Sequence, residues 1–291
     1  MNAPAMTPAR AAHRLTHVLD TFAAAHTVAR FPVDVQQLAL GAADLFNWKD
    51  PITQVEPADI RGFEGALFPS DGRTSWILLY NHALRSRGRI RFTKAHELAH
   101  YILHRSLRES FECSAQDMLN WSGEDTDLES QADEFASHLL MPLNDYRRQV
   151  DAQVDFDLMG HCAERYGVSL TAAILKWLSY TDEKAIIIMS TDGYMNWASA
   201  STPAMKAGAF FRTRTQTIQI PQGSITANTS IQSERKGVNV PAAVWFPHAE
   251  PQVCLREMKL QSEHYECVIT LLILPRVATV WPPRAEEDFK S

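Results

Sequence analysis

The sequence predicts an α+β protein in two parts, a mainly helical one over residues 1–181 and a β-rich one over residues 182–291. Three observations carry that expectation. Apolar residues recur at helical spacing from Pro8 to Thr181, interrupted between Pro51 and Tyr80 by short β-branched and aromatic runs. After Asp182 the texture becomes strand-like, with turns of Gly and Pro between several runs. The length of 291 residues suits two domains, and 45% hydrophobic against 21% charged residues is a globular composition that excludes disorder and coiled coil.

In chain order, PARAAHRLTHVLDTFAAA reads as a first helix, and Pro32-Val33-Asp34 opens a second, DVQQLALGAADLF. The turn signal SDGR precedes SWILLY, the clearest strand of this part, which is expected either as ordinary sheet or as an edge for an extended partner. Helices follow over 91–105 and 127–141, then a helical pair within 157–180. Strands are expected at AIIIM, YMNWAS, AFFRTRTQTIQI, VPAAVWF and YECVITLLIL, and VWPPRAEEDFKS reads as a loose tail.

Several classes drop out. A net charge of -6 is not that of a globally basic nucleic-acid binder. The most apolar run, VITLLILP, is far shorter than the ~20 residues of a membrane helix, and the N-terminus lacks a signal-peptide pattern, so no membrane role is expected. Cys113, Cys162, Cys254 and Cys267 show no CxxC spacing and read as free thiols of a cytoplasmic protein.

The chemistry is concentrated in His96-Glu97-Leu98-Ala99-His100. On a helix, residues four apart share a face, so His96 and His100 can present two imidazole nitrogens to one zinc ion. Glu97 stands where it can take a proton from a metal-bound water. His104 lies on the same face, but eight residues place it ~12 Å along the axis from His96, too far for both to bind one zinc at ~2.1 Å. It is expected as a packed or supporting histidine. A third ligand should come from another helix. In ESQADEFASHLLMP, Ala132, Phe135, Ala136, Leu139 and Leu140 form a buried stripe, and Glu129 and Asp133 lie one turn apart on one side. Glu129 can ligate while Asp133 orients a ligating His; the plain alternative is an acidic first turn.

RFTKAHELAHYILH followed by ESQADEFASHLLMP resembles the ImmA/IrrE family of bacterial zinc metallopeptidases, over roughly Pro32 to Leu178. The resemblance implies a thermolysin-like zinc domain with a small antiparallel sheet, one Zn2+ per chain held by His96, His100 and Glu129, and Glu97 as general base. It implies a helix-turn-helix transcriptional repressor as protein substrate, cut after DNA damage or a similar stress. The β-rich second part resembles members with a GAF-like sensor domain, for which single-stranded DNA or a small nucleotide is the expected signal. The layout also resembles the CapP type, encoded beside anti-phage operons. A non-hydrolytic regulatory protein that keeps the zinc fold is the alternative.

Three features remain open. Cys113 lies between the two ligand-bearing helices, so its thiolate could close the zinc site as an inhibitory fourth ligand, or it is a plain free thiol. Arg85, Arg87, Arg89 and Arg91 alternate, and in an extended segment would share one side, facing an anionic partner or the protein's own acids. AERYGVSLTAAILKW has a helix-turn-helix outline, but Lys176 alone is poor equipment for reading DNA, and a structural helix pair is expected.

Overall fold

The computed structural model describes residues 6–59, 62–108, 110–113, 124–150, 153–262 and 266–282, without the side chains of residues 113 and 124–126. The chain divides into two compact units: one of residues 1–151 and 161–172, the other of residues 152–160 and 173–291. No described helix is long and apolar enough to cross a membrane.

The first unit begins with α1 (Pro8–His26), whose Thr7 hydroxyl caps the Arg10 N–H, with Pro8 at a first-turn position where a missing N–H costs nothing. In α2 (Val35–Phe46) Asp34 accepts from the Gln37 N–H at 3.0 Å and Asn47 closes the helix in the left-handed region. Four strands follow: β1 (Ile52–Ala58), β2 (Gly65–Pro69), β3 (Trp76–Asn81) and β4 (Phe111–Cys113). Their order is β1-β3-β2-β4. β2 runs antiparallel to both neighbours, but β1 and β3 are parallel, so the small sheet is mixed rather than purely antiparallel. SWILLY forms β3, hydrogen-bonded on both sides within the sheet. Its expected role as an edge for a partner strand is therefore excluded, and β1 and β4 are the outer strands.

The helix expected over 91–105 begins earlier, as α3 (Arg87–Ala99), and continues as a five-residue π-helical turn, His100–His104. Ser86 caps it by accepting from the Arg89 N–H. This overturns the extended reading of the alternating arginines, because residues two apart on a helix diverge. Arg89 instead makes a forked ion pair with Glu64, and Arg91 donates to the Gly167 carbonyl. α4 (Glu124–Leu140) packs against α3 and α1, burying Ala132, Phe135, Ala136, Leu139 and Leu140. By ~25 cal/mol per Å² of apolar surface, such a stripe contributes several kcal/mol and fixes how α4 faces α3. α5 (Leu143–Gln149) belongs to this unit, whereas α6 (Phe156–Tyr166) and α7 (Leu170–Leu178) each have residues in both units.

The second unit holds an antiparallel sheet, β6-β5-β9-β8-β7, of β5 (Lys184–Thr191), β6 (Tyr194–Ala200), β7 (Ser233–Pro241), β8 (Cys254–Ser262) and β9 (Cys267–Leu274). α8 (Thr202–Lys206) follows β6. One sheet face packs Ile186, Ile188, Leu255 and Leu272 into a core with Trp245 and Phe246. AFFRTRTQTIQI is not the expected strand. Only Gln219 bridges, to Tyr194, because the chain turns at Arg212, whose carbonyl accepts from Thr215 and Gln216 N–H. Phe211 stacks on Phe246 instead, so the aromatic serves the core without a strand around it. VPAAVWF likewise ends β7 and turns into a short 3-10 helix, Ala242–Val244.

Candidate metal centre

α3 and α4 bring His96, His100 and Glu129 together. The three residues offer donor atoms within 4.8 Å of one another. His96 Nε2 lies 2.9 Å from a Glu129 oxygen and 3.1 Å from His100 Nε2, and His100 Nε2 lies 3.4 Å from the other Glu129 oxygen. Ligands at ~2.0–2.1 Å in a tetrahedron are ~3.3 Å apart, so the cluster already has the dimensions of a zinc site.

The hydrogen bonds behind these atoms fix where the protons sit. His96 Nδ1 is 2.9 Å from Asp133 Oδ1, so Nδ1–H donates to the carboxylate and Nε2 is left as an acceptor. On the other side, Gln131 Nε2 donates to Asp127 at 2.9 Å, which turns Gln131 Oε1 towards His104 Nε2 at 3.3 Å. His104 therefore donates from Nε2 and accepts at Nδ1, where His100 Nδ1 meets it at 3.0 Å. His100 must then donate from Nδ1 and carry its lone pair on Nε2. Two imidazole lone pairs and a carboxylate thus converge with no proton assigned between them, an arrangement that repels itself unless a cation lies at the centre. The donor set of two imidazoles and a carboxylate suits a divalent ion such as zinc.

Burial supports the same protonation. It pushes His100 down to about 4 and also lowers His104, so both rings are neutral at ordinary pH. His104 is fully packed and reaches His100 through the π-helical turn. Phe111 of β4 stacks on His100 with ring centroids 4.5 Å apart, closing one side of the cluster.

Glu97 follows His96 and is fully buried. Gly65 of β2 is what makes room for it. A Cβ at Gly65 would lie 2.5 Å from Glu97 Oε1 and 2.7 Å from Thr93 Cγ2. Sequence reasoning passed over Gly65, since one glycine inside a strand carries no motif; its need arises only from the approach of β2 to α3. Gly65→Ala is expected to push β2 away from α3 or displace the Glu97 side chain, destabilising the first unit by about 1–3 kcal/mol. Denaturant unfolding checks it, and wild-type stability would show that the contact relaxes freely.

Cys113 ends β4, its backbone opposite Gly65, but its side chain and residues 114–123 lie outside the described residues. Of the expected site residues, His96, His100, Glu129 and Asp133 come together between α3 and α4, and Glu97 is buried on α3 next to His96 in sequence.

Residues 51–178 match the IrrE N-terminal-like domain of peptidase family M78. No curated protein sequence matches the chain. The matched segment contains both helices of the cluster, so it is over residues 51–178 that the chain is similar to the ImmA/IrrE type of metallopeptidase.

Proposed function

We propose that the protein is a zinc-dependent endopeptidase that cleaves a helix-turn-helix transcriptional repressor in response to stress such as DNA damage, and so releases a stress or defence operon. The observation that carries this reading is the convergence of two imidazole nitrogens and the Glu129 carboxylate, on a helix where a buried glutamate follows His96. His96, His100 and Glu129 are assigned as zinc ligands, Glu97 as general base and Asp133 as the group that orients His96. Bound zinc supplies Lewis acidity, polarising a scissile carbonyl and lowering the pKa of water. Glu97 accepts the proton of the attacking water and passes it to the leaving amine. Asp133 and the His104–Gln131 pair hold the two rings so that neither has to reorient during the reaction. An extended substrate segment is assigned to the β4 edge, because Phe111 of that strand lies against His100.

The peptidase part is assigned to residues 1–181 and a GAF-like sensor to residues 182–291, a reading that the separate antiparallel sheet supports. The signal assigned to it by the family resemblance is single-stranded DNA or a small nucleotide. The test is to incubate the zinc-loaded protein with purified helix-turn-helix repressors from its own host. Cleavage at one site, lost with a chelator and restored by zinc, is the expected result. An intact repressor under inducing conditions would favour a binding protein without hydrolysis.

Cys113 is assigned as an inhibitory fourth ligand. The support is its place at the end of β4, one strand from Gly65 and hence from Glu97. Cys113→Ala should raise basal proteolysis severalfold; unchanged basal activity in a folded variant would remove the switch.

A further inference from the structure

The inner face of the second unit's sheet is not apolar throughout. Where Ile186 and Leu272 pair across β5 and β9, the face joins the core. Farther along the same strands the aligned positions become Ile188, Thr270 and Lys259, then Ser190, Val268 and Gln261. A cavity of about 560 Å³ lies over this polar end, lined also by Thr226 and Gln232 of the chain that runs between β6 and β8. A sheet face turned inward ordinarily continues its apolar pattern, so polar residues lining a cavity there need a reason.

Lys259 is the clearest departure. Its side chain is only 1% exposed, and its ammonium donates to the Asn228 carbonyl at 2.7 Å. Glu257 is the nearest acid along β8, but it accepts from the Thr226 N–H at 2.8 Å, the Thr226 hydroxyl at 2.6 Å and Trp245 Nε1 at 2.9 Å. Among the described residues Lys259 makes no ion pair within 4.0 Å. An ammonium has three protons to donate, and burying its charge without an anion is costly. The burial also lowers its affinity for a proton, against the pull of Glu257. A Met or Leu at this position would fill the same space without that cost. Asp192 and Glu266, both exposed, line the same cavity and disfavour a polyanion there.

We infer that this cavity binds a small hydrophilic carboxylic acid, with its carboxylate on the Lys259 ammonium and its polar body against Ser190, Thr226 and Gln261. One cation with neutral amides and hydroxyls matches one carboxylate. The acids at Asp192 and Glu266 accommodate a neutral or cationic group at the far end, as in an amino or hydroxy acid. The site is independent of the peptidase assignment, since it is built wholly from the second unit.

The experiment uses the full chain with L-glutamine, L-lactate and gluconate as probes, and 5′-AMP and a short oligothymidylate as comparisons. Binding is read by ligand-observed NMR. It is also read by protection of Cys267, a cavity-lining thiol, from N-ethylmaleimide, with peptide mass spectrometry to resolve it from the other cysteines. At least one of the three acids is expected to bind saturably and protect Cys267. Lys259→Met should weaken it by about tenfold or more, the loss of a charged hydrogen bond. Gln261→Glu, at an exposed wall position, should weaken the same acid with the fold intact, and it decides the matter if Lys259→Met does not fold. Saturable binding of none of the acids, equal binding by the folded variants, or protection by 5′-AMP or the oligonucleotide alone would overturn the inference.

Discussion

Glu97→Gln is expected to abolish repressor cleavage, lowering kcat/KM by about 10²–10⁴-fold, with zinc content and melting temperature close to wild type. The side chain is fully buried and packed against the space that Gly65 leaves open, so an amide of the same shape fits where the carboxylate was. What changes is the capacity to accept a proton and give it up again. An amide does neither at ordinary pH. Because Glu97 is not one of the converging His96, His100 and Glu129 donors, its replacement should leave the metal in place. The readout is a pair: single-turnover cleavage of the repressor and zinc per chain. A variant that keeps its zinc and cuts at the wild-type rate would refute Glu97 as the base. A variant that loses its zinc would place Glu97 among the groups on which the metal depends.

The parts of this site legible in the sequence are those governed by helical periodicity. His96 and His100 four apart, and Glu129 and Asp133 four apart beside a buried stripe, could be paired before any tertiary contact was known, because a helix fixes which side chains share a face. His104 is legible as a packed residue, but the reason for its place is not. It reaches His100 through a π-helical turn, and its partner Gln131 comes from another helix. Strands were harder. SWILLY has strand character, yet whether it is central or at an edge depends on β1 and β2, which its own residues do not specify. β7 and β8 went unrecognised because SERKGVNVP and CLREMKLQS mix charges into both faces, and part of that polarity lines the Lys259 cavity. AFFRTRTQTIQI erred in the other direction: it has the alternation of a strand but no neighbour to pair with along most of its length.

Glu129→Gln should separate metal binding from chemistry in the opposite sense to Glu97→Gln. The substitution keeps volume and helix α4, but removes the one anionic donor among the three converging groups. Zinc held by two neutral imidazoles and an amide lacks the charge that the carboxylate supplies, and a loss of at least about 10²-fold in zinc affinity is expected, beyond the 10–100-fold typical of removing an outer partner such as Asp133. Because a ligand that binds the folded state raises its stability by mass action, zinc should raise the melting temperature of the wild-type protein and of Glu97→Gln, but that of Glu129→Gln only at much higher concentration. Cleavage by Glu129→Gln should be absent at stoichiometric zinc and return in part when zinc is in large excess. Wild-type zinc affinity in Glu129→Gln would move the third ligand elsewhere, with the acidic segment between Glu109 and Glu134 the first place to search, since it holds nine carboxylates and no Lys or Arg. The paired outcome is diagnostic: one glutamate variant that holds zinc and cannot cut, and another that cuts only in proportion to the zinc it can be made to hold.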